Sequence, residues 1–530
     1  MSNSRLVFFI KTRWVLVVVL IALVLLKIPH LQYPFFCDEG WVYAPAVKSM
    51  AVNGPSLLPG SISSDYSRGH PLLFHFLCSL WILCFGTSNV SLHSFPLFIT
   101  VVFIIALYEG CLRLFNNRVA VLVLLLVMSQ VIFFVQASFV LPEIMVALFA
   151  FLSLYYYSKD KLLLTSVMLS LLLLTKESGL VFGAVMGVHA LVALFRKDEP
   201  LVRRVLRLVA LIIPALLLGT FFLLQKAKEG WYLLPLHSSL INLEWEHFYF
   251  WLRTCIRCTF KGDNASYYVE LLIMLLGIPV AIVKRNLRYL FLCLPAIVVF
   301  ALTNDRLVDA LGSGFLVSSF IVAFLVSFYC FFSLYTTIHG TAHRFLVLVS
   351  CCFGAYLFFS SLSVITYRYL IVEIMFVMIL LAVAINMFTD AFGRSIYYIA
   401  IAGTLGVGAI GYCNDGGNDD TDLEAFNAMK VEQAVVRFLE KENAYDKEIT
   451  GGCFWELQHF RFSEQGFLTT PRTFTKISGD TATTNTDYAI FDNVCPDQTH
   501  DRMQRNGSFH LVFKQKVGET WAEIYKRNDR

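Results

Sequence analysis

Charge is what this sequence has least of. Only 15% of its 530 residues are charged, against roughly 25% in an ordinary soluble protein. The deficit is uneven. Residues 1–414 hold 46 of the 80 charges, about 11% of positions, while residues 415–530 hold 20 acids and 14 bases, about 29%. With 57% hydrophobic residues, that split excludes a soluble globular protein, a disordered chain and a disulfide-stapled module. The net charge of +4 is small and scattered, which excludes nucleic acid as a partner. Metal-finger spacing is also missing. Cys255 and Cys258 form one CxxC, but no second pair or histidine stands at the required distance, and eleven of the thirteen cysteines lie in residues 1–414, mostly in apolar runs. No small-residue cleavage site follows the apolar run Trp14 to Leu26, so an uncleaved first span is expected there.

What is present is a succession of apolar runs at about 14–30, 91–113, 118–136, 140–157, 162–176, 178–195, 205–225, 267–283, 288–303, 311–335, 343–364, 368–388 and 395–413. They predict a polytopic α-helical membrane protein of about thirteen transmembrane helices, residues 1–413, with a C-terminal soluble α/β domain over 414–530. A further run, Pro71 to Gly86, is only about 16 residues long. The excess of bases in cytoplasmic loops decides its status. If Pro71–Gly86 lies at the interface and the N-terminus is cytoplasmic, 17 of the 28 bases in residues 1–414 fall inside. If it spans, the cluster Arg196, Lys197, Arg203, Arg204, Arg207 faces out. The expected threading therefore leaves two large outer loops, 31–90 and 226–266, and puts the tail outside. In the tail a helix is expected over Leu423–Glu440, with strands over Lys447–Gly451 and Tyr488–Asp492 and a Phe509–Tyr525 hairpin turning near Gly518. Cys453 and Cys495 would then be the pair able to bridge in an oxidising compartment, with two free thiols the equal alternative.

Acids near or inside apolar segments cost several kcal/mol unless paired or wet, so they mark candidate sites. They are Asp38, Glu39, Glu109, Glu143, Glu177 and Glu373. In this threading all but Glu109 gather at the outer ends of spans; Glu109 is better read as a local ion pair with Arg113. Arg68, His70, Lys176, His237 and Arg368 join the group at that depth. Carboxylates with cations at a membrane surface suit an anionic lipid headgroup and acid/base chemistry. The plain alternative is interfacial residues of the kind any polytopic protein places at helix ends, which weighs more for Arg368 and Glu373 than for Asp38-Glu39.

The order of short motifs carries a resemblance. Asp38-Glu39 in the first loop is followed by Gly69-His70-Pro71-Leu72, Leu141-Pro142-Glu143, Leu174-Thr175-Lys176-Glu177-Ser178-Gly179, Gly230-Trp231-Tyr232-Leu233-Leu234-Pro235-Leu236-His237 and Arg368-Tyr369-Leu370. This resembles the C-type (GT-C) integral-membrane glycosyltransferases, in the branch of the protein O-mannosyltransferases and the lipid A aminoarabinose transferase, over most of residues 10–390. The resemblance implies transfer of a sugar from a polyprenyl-phosphate donor to a lipid, glycan or protein acceptor at the outer face of a membrane, with a bacterial inner membrane favoured over the endoplasmic reticulum. It implies that Asp38 is the catalytic acid residue with Glu39 beside it, and that Arg68, His70, Glu143, Lys176, Glu177 and Arg368 bind substrate or phosphate. Glu143 stands where the family has an aspartate, and Glu177 replaces the glycine after the family's lysine. His70 lies in a His-Pro stretch where the aminoarabinose transferase has Glu-Lys-Pro-Pro. His237 matches a second-loop histidine that can touch a divalent metal; no other cofactor is implied. The rivals are a polytopic lipid or glycan flippase or transporter, an oligosaccharyltransferase or glycan ligase with a larger donor, and a non-enzymatic assembly protein. No internal repeat supports the transporter.

Overall fold

Backbone polar groups in lipid must be satisfied within their own segment, so apolar runs of this kind fold as helices. The computed structural model describes residues 3–195, 199–261, 278, 281–291, 294–334, 340–414, 417, 419–451, 460, 465–478, 486–494, 500 and 507–528. It is a multi-pass membrane bundle. Seven helices are long and apolar enough to cross a bilayer: Thr12–His30, Asn89–Leu114, Glu177–Leu194, Leu201–Glu229, Thr341–Ser360, Tyr367–Phe392 and Arg394–Cys413. Asp305–Leu311 and Gly314–Cys330, bent by 101°, would make an eighth if taken together.

Among the described residues seven helices, or eight with the bent pair, have that length and composition; the other expected runs that are described form shorter or broken helices. The reasons are local. The expected span 118–136 is two helices, Asn117–Met128 and Val131–Gln136. Between them Ser129 Oγ and Gln130 Nε2 both donate to the carbonyl of Leu126, at 2.8 and 3.3 Å, diverting an acceptor from the ladder. Glu143–Ser158 and Leu162–Thr175 have 16 and 14 residues, so they are only about 21–24 Å long, short of a bilayer core of roughly 30 Å. Leu73–Phe85, the expected interfacial helix, has 13. The run 288–303 is split into Arg288–Phe291 and Leu294–Thr303. The run 267–283 lies mostly outside the described residues, as do Cys453 and Cys495. Nine of the ten described cysteines, all but Cys37, are free thiols.

The tail follows its pattern. Helix Glu424–Lys441 packs on a five-stranded mixed sheet of β1 (Ile449–Thr450), β2 (Ile477–Ser478), β3 (Tyr488–Asp492), β4 (Phe509–Val517) and β5 (Thr520–Arg527), in the order β2-β1-β3-β5-β4. β1 is parallel to β2 and β3; β5 is antiparallel to β3 and β4. The β4–β5 turn uses Gly518 at φ +60°, a conformation glycine adopts without steric cost. The Glu424 carboxylate secures that turn, accepting from the Glu519 and Thr520 amides at 3.2 and 3.1 Å.

Several contacts seat the tail on the bundle. Gln465 Nε2 donates to the Gly40 carbonyl at 2.9 Å, and the Phe35 amide donates to the Gln465 carbonyl at 3.2 Å. Gln136 Nε2 donates to the Asp420 carbonyl at 2.6 Å. Phe426 lies 4.3 Å from the His30 ring and under the ammonium of Lys27, a fully buried lysine that also donates to the Val135 carbonyl at 3.2 Å.

Candidate functional site

Helix polarity explains the pairing at the centre of the site. Leu141-Pro142 starts a helix with Glu143 in its first turn, and Lys176 caps the end of the next helix, Leu162–Thr175. An acid at a helix N-terminus and a base at a C-terminus each complement the helix dipole. The two helices are neighbours, so these ends meet: Lys176 Nζ donates to Glu143 Oε1 at 3.1 Å and lies 3.5 Å over the Tyr369 ring.

Arg368 enters from the 3₁₀ turn Tyr367–Leu370 that leads into Ile371–Phe392. Its guanidinium donates through Nη2 to Asp38 Oδ2 and through Nη1 to Asp420 Oδ2, and its Nε lies 3.6 Å from Glu143 Oε1. Two cations thus face three carboxylates. Burial separates their roles: the Asp38 side chain is 36% exposed, whereas those of Arg368, Glu143 and Asp420 are 4% exposed or less. Glu143 Oε2, Arg368 Nε and Asp420 Oδ1 are buried with no hydrogen-bond partner. A cavity of only about 10 Å³, lined by Glu143, Lys176, Tyr356, Arg368 and Tyr369, lies beside them. That volume holds about one water.

Asp38 itself sits where the backbone is unusual. Cys37 has φ +48°, and Glu39–Tyr43 is a π-helical turn. Both features are concentrated at functional positions. Glu39 faces the other way. It is fully buried, with Oε2 accepting from the Phe36 amide at 3.1 Å and Oε1 accepting from the Val140 amide at 2.7 Å and lying 2.8 Å from His93 Nε2. With both oxygens engaged it holds the first loop against the bundle, and only Asp38 of the adjacent pair reaches open space.

A second group stands next to this one through the Lys176-Glu177 step. His70 Nδ1 is 2.9 Å from both Glu177 oxygens, and its ring lies 5.0 Å from that of His237. Gly69 makes this approach feasible: it has φ +74°, and a Cβ there would come within 2.9 Å of the Trp231 ring. Burial, followed by the nearby His70, holds the His237 imidazole down at about 4. Arg68, half-buried at φ +50°, has no ion-pair partner among the described residues. No group of three histidines, cysteines or carboxylates among the described residues is placed to hold a metal ion.

The structure gathers Asp38, Glu143, Lys176 and Arg368 into one cluster and His70, Glu177 and His237 into a second. Glu373 joins neither; its hydrogen bond comes from Thr259 Oγ1 at 3.2 Å. Glu109 does meet Arg113, at 3.7 Å, but its closer partner is Arg13 at 2.5 Å. Asp420 is the residue that sequence reading missed, because an Asp-Asp pair in a glycine-containing stretch reads as a solvated linker.

No family model and no curated protein matches the chain in sequence. Solved structures do match. The chain is similar to the crystal structure of ArnT from Cupriavidus metallidurans bound to undecaprenyl phosphate, at 13% identity and a TM-score of 0.50, over 99% of this chain and 98% of that one. It is equally similar to ArnT from the same organism in the apo state, at 13% identity and a TM-score of 0.50 over 98% of both chains. A weaker likeness, TM-score 0.37 at 12% identity over 91% of this chain and 70% of the other, links it to the archaeal oligosaccharyltransferase AglB from Archaeoglobus fulgidus in complex with an inhibitory peptide and a dolichol-phosphate. The near-complete coverage by ArnT in both directions gives the chain the fold of the C-type integral-membrane glycosyltransferases, the fold its ordered motifs imply.

Proposed function

We propose that the chain is a glycosyltransferase that moves a sugar from a polyprenyl-phosphate donor to an acceptor hydroxyl or amine, with Asp38 as the catalytic base. The observation that carries this reading is one open carboxylate, Asp38, held by a buried guanidinium with a second buried cation, Lys176, close by. The undecaprenyl phosphate in the similar ArnT structure supports a lipid-phosphate ligand.

The chemistry follows from the residue types. The Asp38 carboxylate accepts the acceptor's proton as the acceptor heteroatom bonds to the sugar's anomeric carbon. The bond from that carbon to the phosphate oxygen breaks, and the electron pair leaves with the polyprenyl phosphate. Arg368 and Lys176 would stabilise the charge that develops there, with Arg68 and His70 as further hydrogen-bond donors; preorganised donors of this kind are usually the largest single contribution to such a rate. Glu143 sets the position of Lys176, and Glu177 that of His70. The prenyl chain needs only apolar surface. A groove of about 420 Å³ lined by Phe248, Leu252, Phe320, Phe324, Phe353 and Leu357 offers it, and its helix Thr341–Ser360 also carries Tyr356 to the site. No step is routed through a metal.

The test is a panel of labelled polyprenyl-phosphate sugars offered to the purified protein with membrane extract, run on wild type and on Asp38→Asn. Asparagine keeps the shape but cannot take the proton, so transfer should fall by roughly 10²–10⁴ while the protein stays folded. Glu39→Gln should cost less activity and more stability. If Asp38 only caps the turn, asparagine caps as well, and an Asp38→Asn protein with near-full transfer sinks the assignment.

The same reading puts the site and the tail on the extracytoplasmic side of a membrane, a bacterial inner membrane by preference, because 17 of the 28 bases of residues 1–414 then lie in cytoplasmic segments. Protease added to the cytoplasmic side of sealed vesicles should leave the tail intact; its digestion from that side would reverse the orientation.

A further inference from the structure

Arg368 is engaged in a way the proposed chemistry cannot use. It is the buried cation that holds Asp38, and both of its terminal nitrogens are already bound to carboxylates, Nη2 to Asp38 and Nη1 to Asp420. Among the described residues, the cavity of about 10 Å³ beside it holds about one water. The local charge also opposes an incoming anion, since Asp38, Glu143 and Asp420 outnumber Arg368 and Lys176.

Asp420 differs from the other two acids in where it comes from. Asp38 and Glu143 open helical segments of the bundle. Asp420 belongs to the connector between the last membrane helix, which ends at Asn414, and the tail helix, which starts at Glu424. Its backbone carbonyl is tied to the bundle by Gln136, and its Oδ1 is buried without a partner. A carboxylate brought into the bundle by a connector, with one oxygen on a guanidinium and the other unsatisfied, is a poorly solvated anion in an anion seat.

We propose that Asp420 is an internal stand-in for the donor's phosphate, occupying its seat on Arg368, and that donor binding displaces it. The inference rests on the polyprenyl-phosphate reading above and adds to it an occupant that must leave. Protonation of Asp420 releases the seat. Burial, opposed by Arg368 and reinforced by Asp419, Glu143 and Asp38, raises the Asp420 carboxyl to about 7; the Cys37 thiol is the other titratable group facing it. On that value roughly a tenth of Asp420 is protonated at about pH 8 and roughly half at about pH 7, and apparent affinity would scale with the protonated fraction.

The experiment titrates the full-length protein in detergent or nanodiscs with undecaprenyl phosphate. At about pH 8, Asp420→Asn should bind it roughly tenfold tighter than wild type, and Asp420→Glu no tighter than wild type. Wild type should tighten about fivefold from about pH 8 to about pH 7, and Asp420→Asn should not. The phosphate's own second ionisation, near pH 6, lies below that window. A folded Asp420→Asn protein that binds no tighter, or more weakly, overturns the proposal and makes Asp420 a strut for Arg368. Should that variant fail to fold, the wild-type pH series decides: affinity that is flat or weaker at the lower pH overturns it. Wild type that binds no undecaprenyl phosphate at either pH overturns the donor reading and this inference together, whereas binding that Arg368→Gln weakens and Asp420→Asn leaves unchanged overturns this inference alone.

Discussion

Arg368 and Arg207 are hidden to the same degree, 3% and 2% exposed, yet their surroundings are opposite. They sit at the two ends of helix Glu143–Ser158, Arg368 beside Glu143 and Arg207 beside Asp160 just past its last residue. At the Arg207 end the charges close. Arg207 donates to Asp160 Oδ1 at 3.0 Å and to Glu199 Oε2 at 2.9 Å, and Arg203 also pairs with Asp160. Among the described residues two bases meet two acids in this cluster, and no side-chain atom of Arg207, Asp160 or Glu199 is buried without a partner; the orphaned Nε of Arg204 lies outside these ion pairs. At the Arg368 end two bases meet three acids, and three polar atoms are orphaned. Burial and charge are thus common to both ends; imbalance is not. A buried ion cluster that is complete serves the fold, and one left incomplete is available to a ligand.

The strongest way to break this comparison is to remove each arginine in turn. Losing one partner of a buried ion pair strands the other, at a cost of about 3–5 kcal/mol, so Arg368→Gln and Arg207→Gln should both lower the unfolding midpoint. Only Arg368→Gln should also lower transfer per folded molecule, by roughly 10²–10³, the usual cost of one donor to a developing anion. Thermal unfolding in detergent, paired with initial rates normalised to folded protein, separates the two. Equal rate losses in the two variants would mean that the Arg207 cluster is as much part of the chemistry as Arg368.

How far each end was legible from sequence follows from the same physics. The class of fold was legible because apolar runs of bilayer length have no soluble interpretation, and the tail's hairpin because Gly518 marks its turn. Where an apolar run breaks was not. Ser129 and Gln130 look like tolerated polar residues in an apolar run, and only their hydrogen bonds to Leu126 reveal a break. At the candidate site, Asp38 and Glu143 were legible as acids too costly to leave unpaired near a membrane and Lys176 as a cation at the same depth, whereas for Arg368 the plain interfacial reading weighed more. What distinguished Asp38 from Glu39 was the direction each side chain takes, and two adjacent acids look alike in a string of letters. Asp420 was illegible for a different reason: it acts through a contact 52 residues away in sequence, with Arg368. Lys27 was overlooked because a lysine ending an apolar run normally marks the membrane surface, whereas here the rings of Phe134 and Phe426 enclose it at 4.2 and 4.6 Å.

The smallest expected effects lie among the ion pairs remote from Arg368, and they sharpen what completeness is worth. Arg13 grips Glu109 with two hydrogen bonds, Nε to Oε1 at 2.5 Å and Nη2 to Oε2 at 2.9 Å, and both side chains are 20% exposed. Arg118 reaches Asp390 with one, at 2.7 Å, and those side chains are 37% and 56% exposed. A partly buried, two-point bond to a charged group is worth about 1.5–3 kcal/mol, whereas an exposed single contact contributes about 0–1 kcal/mol after side-chain entropy and screening are counted. Arg13→Ala should therefore lower the unfolding midpoint clearly and Arg118→Ala barely, and the small Arg118 effect should shrink further in high salt, where exposed charges are screened within a few ångströms. Neither variant should alter transfer per folded molecule, since neither pair borders the open carboxylate of Asp38. An Arg118→Ala protein that lost activity in proportion to Arg368→Gln would show that charge anywhere on the bundle supports the reaction, and the distinction between the two ends of the molecule would collapse.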